Sequence, residues 1–337
     1  YRMDYPLKVW LILAATILIT LVAFVCFPIT GTAQFHRVNP TQSGLAFQNR
    51  FEFEDLALTG SNKYNVNGAG VAVGDIDNDG LEDLFFTSNH GQCRLYRNLG
   101  DLRFEDITAA SGTSTPDSSF CTGVIMADIN QDGLKDIYIC RAGSAPIKYR
   151  TNLCYINRGD RTFEESAASL GINDPGNTIF AGFFDGDQDG DLDLMVINHN
   201  NISKEHGKAD NVERQINQNT FYLNDTETFT DATENYGLTE SSLTFSLSLI
   251  VSDLDLDGKV DLMVGNDFAD RDNLYFNNGN GFTERLKARF GRLTMNTMGS
   301  ACMDFNNDLF PDIFTVDMTA EHNYKNKTTM ASMNPRR

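Results

Sequence analysis

Nowhere in the 337 residues is there an H-E-x-x-H, a G-x-S-x-G, a P-loop or a dinucleotide fingerprint, and no C-x-x-C pair occurs. Those absences remove the usual signatures of metallopeptidases, serine hydrolases, nucleotide-dependent enzymes and zinc modules. Basic residues are also scarce, 27 against 46 acidic ones, which leaves a net charge of −19. Phosphate backbones require a basic face, so nucleic acid is excluded as a partner. With no catalytic constellation in sight, the chain is not expected to be an enzyme.

What is abundant is aspartate, and it is ordered. The nonapeptide DIDNDGLED at 75–83 returns as DINQDGLKD at 128–136, DGDQDGDLD at 185–193, DLDLDGKVD at 253–261 and DFNNDLFPD at 304–312. Steps of 53, 57, 68 and 51 residues define a repeat architecture. Oxygens at loop positions one, three and five, a backbone carbonyl near position seven and a carboxylate at position nine can supply the roughly six to eight hard ligands that Ca2+ prefers. In the first two loops these ligands are Asp75, Asp77, Asp79 and Asp83, then Asp128, Asn130, Asp132 and Asp136. The third and fourth loops offer Asp185, Asp187, Asp189 and Asp193, then Asp253, Asp255, Asp257 and Asp261. The fifth offers Asp304, Asn306, Asp308 and Asp312. Glycine at position six permits the sharp turn in four loops, whereas Leu309 stands there in the fifth and predicts strain and weaker affinity. Eighteen of the 46 acidic residues occupy ligand positions, so five bound divalent cations would bring −19 to −9. The alternative is a set of acidic hairpin turns without metal.

An EF-hand is excluded on two grounds. Position twelve holds Phe86, Ile139, Val196, Val264 and Thr315, none of which ligates as a bidentate glutamate does. The flanks are short apolar or β-branched runs that read as strands, VAV and LFF around the first loop, VIMA and IYI around the second, SLIV and LMV around the fourth. Beyond the loop an aromatic strand runs into an Asn/Gly/Asp turn, as in CRLYRNLGD at 93–101 and NLYFNNGNG at 273–281. A Phe-containing closing strand follows, as in LRFEDITAASG at 102–112 and RTFEESAASLG at 161–171. Four strands in about 50 residues, repeated in series, predict an all-β fold of β-propeller blades.

The stretches GVAVGDIDNDGLEDLFF, GVIMADINQDGLKDIYI and MGSACMDFNNDLFPDIF resemble the FG-GAP or VCBS repeats of integrin α-subunit-type propellers. The NLYFNNG and FEDIT phrases resemble extracellular repeat proteins related to cartilage acidic protein, many of which continue into an ASPIC/UnbV domain. The resemblance covers about residues 44–325 and implies structural Ca2+, up to five ions, between the first and second strands of each blade. Residues 69–337 are therefore expected to form the propeller. Its fifth blade is truncated, since no tyrosine strand or closing strand follows residue 316, and the chain reads as a fragment of a longer protein.

Before the repeats, Arg2 and Lys8 precede an uncharged apolar run at 9–27, followed by Pro28 and the small-residue stretch TGTAQ. Residues 1–33 are expected to be an export signal, with an uncleaved membrane anchor as the alternative. Residues 34–68 form a lead segment in which Phe47 and Phe51 are the expected buried positions of a strand that closes the ring. The mature chain keeps Cys93, Cys121, Cys140, Cys154 and Cys302, an odd number. Cys140 and Cys154 lie on neighbouring strands of one blade and are the pair considered for a disulfide, the alternative being five small buried apolar residues.

The strand leaving each acidic loop runs to the opposite face of a propeller. Asn89, His90, Arg141, Asn198, His199, Asn266 and Asp267 are thus expected on one rim as candidate ligand contacts, against a plain reading as polar loop ends. The longest insertion, 199–218, leaves from that rim. Arg158-Gly159-Asp160 spells an integrin-recognised tripeptide but matches the hairpin turn at Leu99-Gly100-Asp101, so turn chemistry accounts for it. The basic positions Arg285, Lys287, Arg289 and Arg292 read as a solvated strand face. Together these readings predict a secreted or cell-surface calcium-binding propeller that recognises an extracellular protein or glycan, as in adhesion. Two other classes stay open, a polysaccharide-processing enzyme whose catalytic part lies outside this sequence and a purely structural matrix component.

Overall fold

A computed structural model describes residues 37–49, 68–116, 120–143, 147–200, 216–226, 228–239, 245–267, 271–290, 294 and 296–317. The chain divides into units at 1–39 and 40–337. Of the first unit only 37–39 are described, and all three are exposed.

The second unit is built from antiparallel sheets taken in chain order. The first holds β1 (Val71–Gly74), β2 (Asp83–Phe86), β3 (Arg94–Asn98) and β4 (Phe104–Asp106). The second holds β5 (Cys121–Ala127), β6 (Asp136–Arg141), β7 (Leu153–Asn157) and β8 (Phe163–Glu165). The third holds β9 (Thr178–Phe184), β10 (Asp193–Asn198), β11 (Thr220–Asn224) and β12 (Phe229–Asp231). The fourth holds β13 (Ser246–Ser252), β14 (Asp261–Asn266), β15 (Asn273–Asn277) and β16 (Phe282–Glu284). Two further strands, β17 (Thr297–Met303) and β18 (Asp312–Asp317), pair alone among the described residues. The first strands of successive sheets lie side by side, the arrangement of propeller blades about their axis.

Alternation explains how one strand serves two cores. Side chains at successive positions of a strand point to opposite faces. On β6, Ile137 and Ile139 pack with Phe85 and Leu95 of the first sheet, whereas Tyr138 and Cys140 pack with Ala181, Leu194 and Val196 of the third. Met195 and Ile197 of β10 likewise meet Leu262 and Val264 of β14. The second strands β6, β10 and β14 are therefore buried at every residue, while β2, with no sheet before it among the described residues, alternates between buried and half-buried. The outer strands bury little beyond their leading Phe, because they face solvent.

The closing phrases are shorter as strands than their alternation suggests. Each outer strand lasts three residues, and helical turns α2 (Thr108–Ser111), α3 (Ala167–Leu170) and α4 (Leu286–Arg289) follow three of them. Lys287 and Arg289 thus lie on a helical turn and not on a strand face, and the Arg289 guanidinium sits 4.9 Å from the Phe276 ring centre. The turns in the first two sheets end on Gly112 and Gly171 with φ of 78° and 81°. A Cβ on Gly171 would come within 2.6 Å of the Phe229 carbonyl oxygen of the next sheet, so glycine is required there.

The lead segment repeats this device. Turn α1 (Pro40–Ser43) ends on Gly44, φ 76°, where a Cβ would come within 2.2 Å of the Phe104 carbonyl oxygen of the first sheet, as one on Gly171 would meet Phe229. Phe47 is half-buried and stacks on Phe86 with ring centres 5.0 Å apart. The described part of the segment is therefore a turn against the first sheet, while Phe51 lies outside the described residues. The apolar run at 9–27 and most of the insertion, 201–215, lie outside them as well. Among the described residues no helix is long and apolar enough to cross a membrane.

Candidate metal centres and the opposite rim

Each acidic loop joins the first and second strands of its sheet, and one hydrogen-bond scheme recurs. The carboxylate at position one accepts the backbone N–H groups of positions five and six, as when Asp75 accepts from Asp79 (3.2 Å) and Gly80 (2.8 Å). Asp128, Asp253 and Asp304 do the same in their loops. The carboxylate at position nine is buried at Asp83, Asp136, Asp193 and Asp261. One of its oxygens accepts the N–H of position two and the other that of the asparagine ending the third strand, at 2.9 and 2.8 Å for Asp136 with Ile129 and Asn157. The residue at position four adopts the left-handed region throughout, with φ of 55° at Asn78, 59° at Gln131, 66° at Gln188, 61° at Leu256 and 60° at Asn307.

Carboxylate oxygens converge as a result. Oxygens of Asp75, Asp77 and Asp83 lie within 4.8 Å of one another, as do those of Asp185, Asp187 and Asp193, and of Asp253, Asp255 and Asp261. In the second and fifth loops the neutral Asn130 and Asn306 stand at position three, which leaves fewer charges to repel. The Oδ1 atoms of Asp77 and Asp185 are buried and have no hydrogen-bond donor among the described residues. Burial pushes the Asp193 carboxyl up to about 7 and that of Asp136 up to about 6, while Asp83 and Asp261 rise for the same reason. Orphaned hard oxygens, clustered and short of positive charge, are what a calcium-sized cation needs.

The loops differ in how they offset their own charge. In the first, Arg97 reaches Asp77 at 2.7 Å and Asp79 at 2.9 Å. In the fourth, Lys259 pairs with Asp257. The third instead adds a carboxylate, Asp191 at position seven, 6% exposed and with an orphaned Oδ1. Sequence reasoning assigned that position only a backbone carbonyl; the DGDLD string was the available signal. In the fifth loop Leu309 is forced to φ 71° while 84% exposed, the strain expected where glycine is missing.

Sequence reasoning also passed over position four. Asn78 Nδ2 donates to the Gly133 carbonyl at 3.1 Å, Gln131 Nε2 to that of Gly190 at 2.9 Å, and Gln188 Nε2 to that of Gly258 at 3.3 Å. The first four loops are thereby linked into a belt on one face. The amides at this position were the signal. The tripeptide at 158–160 lies in the β7–β8 turn, where Gly159 N–H donates to Asn157 Oδ1 and Asp160 accepts from Thr162, as turn chemistry predicts.

The opposite ends of the sheets are polar but densely bonded. Six of the seven rim residues are buried: Asn89, Arg141, Asn198, His199, Asn266 and Asp267. Asn198 accepts from the Thr178 hydroxyl (2.8 Å) and donates to Asp174 (3.2 Å) and the Gln218 carbonyl (2.7 Å). Asn266 accepts from Ser246 and donates to the Arg271 carbonyl, and Arg141 donates to the Thr151 carbonyl. These contacts tie strands together. The half-buried His90 instead lines a cavity of about 310 Å3 with Phe47, Gln48, Gln92, Arg94, Tyr96 and Asp106. Its edge meets Phe120 at 5.7 Å.

Comparison with known proteins agrees with this construction. The FG-GAP-like repeat matches residues 75–139 and 253–315. The chain is 31% identical over 161 residues to cartilage acidic protein 1 of Homo sapiens, a stretch that is 48% of this chain and 23% of that protein. It therefore spans less than a quarter of that relative's length. Among solved structures it is similar to an Agrocybe aegerita lectin described as recognising non-reducing terminal N-acetylglucosamine (18% identity, TM-score 0.37, 63% of this chain and 49% of that one). It is also similar to the V. cholerae biofilm matrix protein Bap1 (13% identity, TM-score 0.39, 74% and 34%). Both likenesses are distant and bear on neither ligand nor assembly.

Proposed function

We propose that this FG-GAP-repeat protein, a homologue of cartilage acidic protein 1, is an exported calcium-binding β-propeller that recognises an extracellular protein or glycan. The observation that carries the reading is the belt of acidic loops, joined side chain to carbonyl, with buried carboxylate oxygens that have no donor among the described residues. In each loop the oxygens at positions one, three, five and nine would hold the ion, which supplies the positive charge the cluster lacks. Calcium is structural in this reading and leaves recognition to the other end of the sheets. There the cavity beside His90 offers two aromatic rings, Phe47 and Tyr96, two side-chain amides, and Arg94 at 3.6 Å from Asp106. Export rests on the apolar run at 9–27.

A binding screen of the chain against glycan and extracellular-protein arrays, in calcium and in EDTA, tests the proposal. Saturable binding that needs calcium and is lost in His90→Ala supports it. Turnover of a polysaccharide, or no binding in either condition, refutes the recognition role.

A further inference from the structure

The thiols of Cys93 and Cys121 meet across the joint between the first and second sheets. Cys93 immediately precedes β3, and Cys121 opens β5. Both are wholly buried in the same core. Their backbones are pinned from several sides. Cys93 N–H donates to Thr115 Oγ1 at 3.2 Å, Cys121 N–H donates to the Ser88 carbonyl at 3.1 Å, and Asn89 Nδ2 donates to the Cys121 carbonyl at 3.0 Å. Both side chains enter that shared core, where each thiol is near enough to shift the other's titration. Arg141 is the cross-strand partner of Cys121, is 3% exposed and has no hydrogen-bond partner for its Nε among the described residues.

The pair considered from the sequence is placed differently. Cys154 stands opposite Tyr138, which sets Cys140 on the diagonal. Diagonal neighbours are about 7–8 Å apart, too far for a sulfur–sulfur bond without backbone movement.

We propose that Cys93 and Cys121 form a disulfide that staples the first sheet to the second when the chain folds in an oxidising compartment. In the open joint either thiol can attack first as its thiolate, and the step is written here for Cys93. The electron acceptor is a small disulfide such as glutathione disulfide. The Cys93 sulfur displaces one glutathione thiolate, which takes up the Cys93 proton. The Cys121 sulfur then attacks the mixed disulfide and releases the second glutathione, which takes up the Cys121 proton. Two protein thiols become one disulfide and one glutathione disulfide becomes two thiols. Because both sulfurs are buried in the finished fold, the exchange occurs while the joint between the sheets is still closing.

The test is to refold the full chain in a buffer of reduced and oxidised glutathione, quench with acid, alkylate in denaturant with N-ethylmaleimide, and map the peptides by mass spectrometry. The expected result is one linked pair, the peptides carrying Cys93 and Cys121, with Cys140, Cys154 and Cys302 alkylated. Alkylation of both Cys93 and Cys121, or linkage of either to another cysteine, overturns the proposal. The chain refolded with glutathione should also melt about 5 °C or more above the chain refolded in dithiothreitol, and Cys93→Ser should abolish that difference. Equal wild-type midpoints overturn it. If Cys93→Ser does not fold, the wild-type peptide map still decides.

Discussion

At one end of the sheets the half-buried Asp77 and Asp185 each carry a buried oxygen with no donor among the described residues, while at the other Asn198 and Thr178 are wholly buried and bonded to each other. The difference follows from chemistry. An amide or hydroxyl both donates and accepts, so a cluster of them can satisfy itself. Ionised carboxylates only accept and repel one another, so their cluster depends on positive charge from elsewhere. Both ends are polar, but only the aspartate end should answer to calcium.

The largest expected effect is therefore chelation. With a dissociation constant of roughly 0.1 mM, typical of weak extracellular sites, about 1 mM calcium stabilises each loop by about 1.4 kcal/mol. Five independent loops would add about 7 kcal/mol, comparable with the net stability of a domain. The melting temperature should fall strongly in EDTA, and identical transitions in EDTA and calcium would falsify the reading of the loops as metal sites.

The rim should behave in the opposite way. Asn198→Ala removes a buried amide with three partners and should cost about 2–4 kcal/mol, equally in calcium and in EDTA. Asp185→Ala should cost about 1.4 kcal/mol in calcium and nothing in EDTA, where it relieves repulsion. Denaturant titrations of both variants in both buffers check this contrast. Equal calcium dependence at the two positions would erase it.

Proton binding sharpens the comparison further. The folded carboxyls of Asp193 and Asp136 sit at about 7 and about 6, above their ordinary value of 3.8. Between these limits the folded state holds more protons than the unfolded one, so stability without metal falls as pH rises. In EDTA the midpoint should be higher at about pH 5 than at pH 8, with Asp193→Asn reducing the gap. Calcium should lift the pH 8 midpoint more than the pH 5 one. A metal-free protein that melts higher at pH 8 contradicts the assignment.

The smallest effect is at the fifth loop. Leu309→Gly frees a left-handed residue from its steric cost and should stabilise the chain by about 1 kcal/mol, with or without calcium. A lower midpoint for that variant would mean that the exposed leucine does more than occupy a turn.

Much of this was legible in the residues alone. Repeat period, strand–loop–strand units and the clustering of the loop aspartates were all readable, because nine consecutive residues carry the whole geometry of a turn. Asp191 escaped because position seven was expected to offer only a backbone carbonyl, which hid a side chain able to add an oxygen. The closing phrases looked like longer strands because FEDIT and FEESA keep an aromatic in phase, yet the chain turns helical at Thr108 and Ala167 and ends each turn on a glycine packed close against the next sheet.

The sequence by itself determined the all-β repeat, the acidic loops and the strain at Leu309, since each rests on local spacing and backbone sterics. Only the tertiary structure decided which groups meet across sheets. It joined Asn78, Gln131 and Gln188 to the following loops, buried most of the rim, laid Gly44 and Phe47 on the first sheet, and set Cys93 beside Cys121 instead of Cys140 beside Cys154. Those contacts depend on strand register and on how one sheet stacks on the next, and neither is written in the spacing of residues along a single repeat.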